Sequence, residues 1–569
     1  MRSGIKSPGI KSIVLSAAWL ALAGGPAFST DTNPRGDIPH LAPHGSTKQL
    51  VVDGKPYLVL GGELTNSAAS SPDYLAKLWP GLKSVGLNTV VLPVEWDQIE
   101  PQQGHFDFSV ADAVLKQARQ NNMHVVVLWF GAWKNSMSTY VPPFVKHDYK
   151  DYTRAQDDKG RPQDILSPFD AQTLKADQTA FAALMTHFKQ TDTDHTVILV
   201  QVENEIGMLP SVRDYSPPAQ AAWNGAVPSD LIGYLQAHRD TLNPYVRDLW
   251  AANGFKTQGT WAEVFGDSIP AQEVFQAWYF ATFANALAEA GKAAYPLPMY
   301  VNVALNRPGK APGEYPSAGP LPHLFDVWKA GGPAIDMISI DMYFPNFIDW
   351  ASLFKRPDNP FFSPEDNQAD RPDAGANAFY AFGELDSMSF SPFAIDTLKP
   401  EAAGPLTGAY DVLHQLAPQI LAAQGTGRIH GFRSLVSYDG VASDHPTVFE
   451  LGGYRFTVNY RDKPGAAAAN PGVGNPGVGN SALGNDGGLI IQTGDNEFLV
   501  AGQGVTLTFE DAADTHMNVG IEKVTEGKYV DGAWKPGRWL NGDETLEGRN
   551  VHLPTDGFSI QQFSLYKYQ

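Results

Sequence analysis

Cysteine is absent from the 569 residues. That excludes zinc ribbons, iron–sulfur clusters, catalytic thiols and disulfide scaffolds together. Positive charge is scarce: 41 Lys and Arg stand against 61 Asp and Glu, a formal net charge of −20. Nucleic-acid binding and adsorption to anionic lipid both draw on clustered basic residues, so neither partner is expected. The 14 His form no close pair on one helix face, and Asp192 and Asp194 do not continue into a calcium loop. No metal is expected. No Gly-rich fingerprint follows a strand candidate, and no cofactor is expected. What the chain does have is 30 Phe, 21 Tyr and 13 Trp in a 43% hydrophobic composition, ample for large packed cores.

The first residues read as an address. Arg2, Lys6 and Lys11 precede the apolar run Ile13–Ala23, and small residues follow at Ala27 and Ser29. The run is shorter than the roughly 20 residues of a membrane span and fits a signal peptide over residues 1–29. No later stretch reads as a membrane anchor, so the expected location is periplasmic or extracellular. Residues 30–45 are rich in Pro, Gly, His and Asp and read as a flexible leader.

From residue 46 short β-branched runs alternate with longer helical patterns, as in βα units around a parallel sheet. Strands are expected at 58–61, 89–93, 124–129, 197–202, 299–304, 337–340, 379–382 and 429–437. Helices are expected over 72–85 (kinked at Pro80), 110–121, 171–189, 229–253, 271–293, 320–330 and 406–423. Eight strands with helices between them close a (β/α)8 TIM barrel, expected over 46–445. Beyond it short alternating strands predict a C-terminal antiparallel β domain over 446–569. The Gly/Pro tract 464–488, with Asn470–Gly474 repeated as Asn475–Gly479, reads as a loop inserted in that domain.

Carboxylates end two of the expected strands. Gln201-Val202-Glu203-Asn204-Glu205-Ile206-Gly207 closes the fourth, and Phe379-Tyr380-Ala381-Phe382-Gly383-Glu384 closes the seventh. In a barrel the C-terminal strand ends gather the catalytic side chains. Two carboxyls facing across that mouth are what glycoside hydrolysis needs, one to protonate the departing oxygen and one to attack the anomeric carbon.

Gln201–Gly207 resembles the acid/base segment of the family 35 glycoside hydrolases, mostly β-galactosidases, within a retaining (β/α)8 clan. Val52-Asp53-Gly54-Lys55-Pro56-Tyr57 and Gly61-Gly62-Glu63 are similar to that family's opening strand. Val94-Glu95-Trp96, with Glu100-Pro101 and Gly104–Phe108, is similar to the clan's second-strand signature. The resemblance implies a retaining exo-β-galactosidase of the compact bacterial branch. It makes Glu205 the acid/base and Glu384 the nucleophile. Asn204 would then bind the sugar 2-hydroxyl, Tyr343 would hold the nucleophile, and Glu63 would accept from galactose hydroxyls. The substrate expected is a β-galactoside oligo- or polysaccharide, xyloglucan side chains among them. The alternative within the clan is a β-glucosidase or α-L-arabinosidase.

Glu95 is a candidate subsite residue, and Trp133 and Trp350 are candidate sugar platforms, because flat aromatic faces suit sugar rings. Lys134 and Asn135 could bind sugar hydroxyls but read first as a solvated loop. Two other classes remain open: a non-catalytic carbohydrate-binding protein, and an esterase built on Ser268 in Val264–Ile269 with Asp411 and His414.

Overall fold

The computed structural model describes residues 37–569 apart from 368, 444 and 461–485. The expected signal peptide, the leader up to residue 36 and most of the Gly/Pro tract lie outside the described residues. The rest of the expected leader is ordered: His40–His44 pairs antiparallel with Thr47–Val52.

Eight parallel strands close a ring. Val59–Glu63, Thr89–Glu95, His124–Lys134, Val197–Asn204, Met299–Val301 and Met337–Ile338 follow one another in a parallel sheet, with Ser389–Phe390 on the far side of the first. The gap is filled by Glu365–Asp366. It pairs in parallel with Asp341–Met342, the continuation of the sixth strand, and bridges to Pro392 beyond the eighth. The strands are dry because helices cover the outer face while side chains fill the inner one. Val90, Val91, Val125, Val126, Val197 and Ile198 are all fully buried.

The first six strands lie where the sequence puts them, and the last two do not. Residues 379–382 belong to the helix Ala374–Glu384. Ala-Gly-Ala-Asn-Ala-Phe-Tyr-Ala-Phe is apolar on every side, so it carries no period that tells helix from strand. The helix is buried all round because one side faces the barrel and the other packs on Ile429–Arg433. That segment, expected as the eighth strand, pairs antiparallel with Gly487–Gly494 in the C-terminal domain. Its place beside the first barrel strand is already taken by Ser389–Phe390.

The helices follow the expected spans with breaks at prolines. Pro72–Leu75 and Trp79–Val85 replace one kinked helix, and Asn243-Pro244 divides Ser229–Ala237 from Pro244–Ala252. Proline fits the first turn of a helix but not its interior, so each begins a new segment. The 26-residue helix Ile269–Ala294 then runs along the barrel wall. Among the described residues no helix is long and apolar enough to cross a membrane.

The C-terminal region consists of a six-stranded and a four-stranded antiparallel sheet. Phe456, Phe498, Leu507, Phe563 and Leu565 form the core between them. Thr447–Leu451 and Tyr454–Tyr460 form a hairpin. Its turn is Gly452-Gly453, both at positive φ (60° and 81°), as the twist-matched two-residue turn requires.

Candidate active site

At the C-terminal mouth of the barrel a cavity of about 300 Å³ is lined by Asn66, Lys134, Asn135, Glu205, Tyr343, Glu365 and Phe393. These residues come from the ends of the first, third, fourth, sixth, seventh and eighth strands or from the segments just after them. Lys134 and Glu365 lie in strands, and the other lining residues follow strand ends within a few residues.

The fourth strand delivers Glu205 through an unusual backbone. Glu203 and Glu205 both have left-handed φ, 62° and 45°, a conformation costing roughly 1–2 kcal/mol per non-glycine residue. Side chains hold it in place. The Glu205 N–H donates to Asn302 Oδ1 (2.8 Å), Ser136 Oγ donates to the Glu205 carbonyl (2.7 Å), and Gln201 Nε2 donates to the Glu203 carbonyl (2.9 Å). Asn302 in turn donates to Asp341 Oδ2 at 2.7 Å. Asn135 Nδ2 donates to Glu205 Oε2. Asn204 Oδ1 accepts from Lys134 Nζ at 2.7 Å, while its buried Nδ2 has no protein partner among the described residues.

Across the mouth stands Glu365, whose Oε1 accepts from the Tyr343 hydroxyl. Burial, aided by the charge of Glu205, pushes its pKa up to about 7; Lys134 and hydrogen bonds from Tyr343 and Glu63 oppose the rise. Glu205 is likewise raised by burial, against Lys134 and a bond from Asp341. Glu63 and Asp341 are held well above the carboxylate range, by burial first and then by the surrounding carboxylates. Burial thus favours the neutral form of both, with Glu63 beside Glu365 and Asp341 beside Glu205. Asp366, fixed by Ser363 Oγ and the Ser391 N–H, is raised to about 8 by burial.

The expected site residues divide. Glu205, Asn204, Glu63 and Tyr343 come together around the cavity, and Lys134 and Asn135 line it rather than forming a solvated loop. Glu384 does not join them. It ends a helix on the barrel wall, its side chain is 36% exposed, and it accepts from His430 Nδ1 (3.1 Å) and the Gly431 N–H (3.3 Å). Gly383 does allow a close approach, but to Gly431, whose Cα would lie 2.8 Å from an added Cβ. Trp133 is fully buried edge-on against Phe280 and Phe283 and offers no face to a sugar. Trp350, on the short helix Phe347–Ala351, packs against Phe344 away from the cavity lining. Glu95 is largely buried beside Asp97, also outside the lining, and burial raises it to about 7.

Glu365 escaped the sequence reading because its strand is two paired residues long and follows Ser363-Pro364. The signal present was a carboxylate closing the apolar pair Phe361-Phe362 between two helices. The esterase arrangement is dismantled. Ser268 caps the long helix by accepting from the Ala271 N–H, and Asp411 and His414 lie inside the helix Gly404–Ala423 with His414 bonded to the Gly86 carbonyl.

Comparison with known proteins gives a class first. A family model described as beta-galactosidase, that of glycoside hydrolase family 42, matches residues 75–266, and a domain of unknown function (DUF5597) matches residues 406–552. Individual relatives are similar over short stretches. A Xanthomonas manihotis protein named Beta-galactosidase is 37% identical over 82 residues, 14% of this chain and 14% of that protein. Arabidopsis thaliana Beta-galactosidase 11 is 38% identical over 85 residues, 14% of this chain and 10% of that one. The chain thus aligns with about a seventh or less of the curated relatives' length. Among solved structures, the beta-galactosidase from Bacillus circulans sp. alkalophilus matches with a TM-score of 0.44 at 14% identity, over 64% of this chain and 57% of that one.

Proposed function

We propose that the protein is a retaining exo-β-galactosidase of the (β/α)8 clan to which families 35 and 42 belong, with Glu205 as acid/base and Glu365 as nucleophile. One observation carries the reading: two carboxyls from the fourth and seventh strand ends line one cavity at the barrel mouth. The similarity to β-galactosidases over residues 75–266 covers the strand that bears Glu205 and favours galactose as the sugar. The cavity volume is at the low end of small-molecule sites, ~300–1,000 Å³, and suits one terminal sugar ring.

The chemistry follows from the hydrogen bonds. Tyr343 and neutral Glu63 both donate to Glu365, which favours its charged form. Glu365 attacks the anomeric carbon as the glycosidic bond breaks, and Glu205 delivers its proton to the leaving oxygen. Once Glu365 is esterified its charge is gone, so Glu205 becomes easier to ionise and serves as base for the incoming water. Asn204, oriented by Lys134, presents its free Nδ2 toward a sugar hydroxyl.

A panel of chromogenic glycosides tests the sugar, and the first-formed anomer tests the stereochemistry. Release from β-galactosides with β-galactose as first product is expected. Preference for a β-glucoside or α-L-arabinoside would move the assignment within the clan. An α-anomer would refute retention, and no turnover of any glycoside would leave a binding protein. Removal of galactose from xyloglucan side chains is the natural reaction we propose, and it is checked by galactose release from that polymer.

A further inference from the structure

Glu203 is the glutamate of the Glu-Asn-Glu segment that the mechanism leaves unused. It is fully buried and faces Asp177, also fully buried, from the helix Ala171–Thr191. Both carboxyls grip the third barrel strand. Trp129 Nε1 donates to Asp177 Oδ1 (2.8 Å), and the Ala132 N–H is shared between Asp177 Oδ2 and Glu203 Oε1 (3.2 Å each). The Trp133 N–H donates to Glu203 Oε2 at 2.9 Å. Here the register of the third strand against the fourth shifts, between Trp129 and Lys134. Gly131 lies inside the shift, where an added Cβ would come within 2.6 Å of Trp129 Nε1, 2.7 Å of Glu203 Oε1 and 2.9 Å of Asp177 Oδ2. The next side chains along the strand are Lys134 and Asn135, which hold Asn204 and Glu205.

We propose that Glu203 and Asp177 form a one-proton clamp, a positioning pair that fixes the irregularity of the third strand and so aims Lys134 at Asn204 and Asn135 at Glu205. The inference rests on the catalytic reading of Glu205. Trp129 and Trp133 each supply a donor to the outer oxygen of one carboxyl, and the Ala132 N–H is shared by the inner oxygens, Asp177 Oδ2 and Glu203 Oε1. Between the carboxyls there is room for one proton, carried by Glu203 and accepted by Asp177. Without it two anions would face each other in a dry interior. Burial and the Asp177 charge hold Glu203 well above the carboxylate range, while Asp177 rises to about 6 through burial, with Glu100 adding to it. Glu100 is itself occupied by Trp96 Nε1 (3.0 Å) and the Gly104 N–H (2.8 Å), and Lys134 is engaged by Asn204.

The proton count makes the test specific. In Glu203→Gln the amide supplies the donor to Asp177 permanently, and in Asp177→Asn the amide supplies it from the other side. Each single variant should keep kcat on a β-galactoside with a poor leaving group within about threefold of wild type, as an isosteric exchange of one hydrogen bond allows. In the double variant two NH₂ groups face each other. Its kcat should fall about 100-fold with the fold retained by circular dichroism, a loss far beyond the product of the singles. A second readout needs no turnover. Glu203 ionises more readily unfolded than folded, so wild type loses stability as pH rises above its unfolded value, whereas Glu203→Gln has no such proton to lose. The melting temperature of Glu203→Gln relative to wild type should therefore climb with pH. A flat difference, a Glu203→Gln as damaged as the double variant, or additive singles would each overturn the clamp. If wild type cleaves no glycoside, the catalytic reading falls, and the melting temperatures still decide whether the pair shares one proton.

Discussion

Glu365→Gln and Glu384→Gln separate the cavity from the chemically similar acid on the barrel wall. Glu365 is largely buried beside Glu63, Glu205 and Asp341, and its replacement removes the attacking group of the proposed mechanism. On a dinitrophenyl β-galactoside, which departs without protonation, kcat should fall at least ~10⁴-fold, a barrier increase of about 5.5 kcal/mol. The same variant should be more stable than wild type. Raising a carboxyl from 4.5 to about 7 makes its ionised form cost about 3 kcal/mol at 1.36 kcal/mol per pH unit. The folded state binds the proton more tightly, so the penalty is absent below pH 4.5, grows between 4.5 and 7, and is complete above 7. Glu365→Gln should therefore melt higher than wild type at pH 8 and equally at pH 4. Glu384→Gln behaves differently on both counts. Its side chain is 36% exposed and, among the described residues, paired with His430 and the Gly431 N–H, so stability should change by less than about 1 kcal/mol and kcat by less than about twofold. Steady-state kinetics and thermal melts across pH 4–8 check both variants. A Glu365→Gln enzyme that turns over at wild-type rate, or a Glu384→Gln enzyme that is dead while folded, would refute the assignment.

Azide should distinguish the two roles. Glu205→Ala on an activated galactoside is expected to give β-galactosyl azide, by attack on the covalent intermediate, and Glu365→Ala the α-azide by a single inversion; swapped anomers would swap the roles. Lys134→Met removes the charge that holds Glu63, Glu205 and Glu365 down. Both limbs of the kcat/KM profile should move to higher pH, and unmoved limbs would count against this electrostatic account. Trp133→Ala should destabilise the fold by about 3–5 kcal/mol, since the indole is fully enclosed by Phe280 and Phe283. Trp350→Ala should cost much less, with KM for a simple galactoside unchanged; a large KM increase in the latter would return Trp350 to the sugar site.

The first six barrel strands were legible because each is a run of β-branched or apolar residues five to eleven long, or a shorter one bounded by helices of clear period. The last two were not, and the cause is the C-terminal domain. It covers the helix Ala374–Glu384, so that helix lost its polar face and read as a strand. The true seventh strand is paired over two residues, and Ser363-Pro364 gives it the texture of a turn. A correct count of eight was therefore reached with two wrong members. The misplaced strand is what gives Glu384 the expected nucleophile's position, and the structure sets Glu384 at a helix end outside the cavity lining. Glu205, Asn204, Glu63 and Tyr343 meet around the cavity as expected from their places, because each ends or follows a strand that lies where the sequence puts it. Lys134 and Asn135 looked solvated because polar residues after a strand usually are, and only the folded chain shows both side chains turned onto the fourth strand.

The cavity gathers more acids than double displacement requires, and the surplus has a chemical use. Four carboxyls around one space cannot all be charged in a dry interior with Lys134 as the cation among them. The least costly arrangement keeps Glu63 and Asp341, the two most enclosed, protonated alongside Glu205, the proposed proton donor, and a protonated carboxyl is a strong hydrogen-bond donor. Glu63 then donates to Glu365 and Asp341 to Glu205, in places where a serine or an amide would donate with less strength. Under the proposed mechanism each reacting acid is thereby given a neutral acid as neighbour, one that holds it in place without adding a second charge to repel it. Behind the fourth strand Glu203 and Asp177 repeat the same device, one acid protonated to bind another. Burial is what makes the device work, because only a dry site keeps a carboxyl neutral near pH 7. A substitution that let water reach Glu63 or Asp341 would return that acid to the charged form. It would then act on Glu365 and Glu205 as repulsion, from a residue that need not touch the substrate at all.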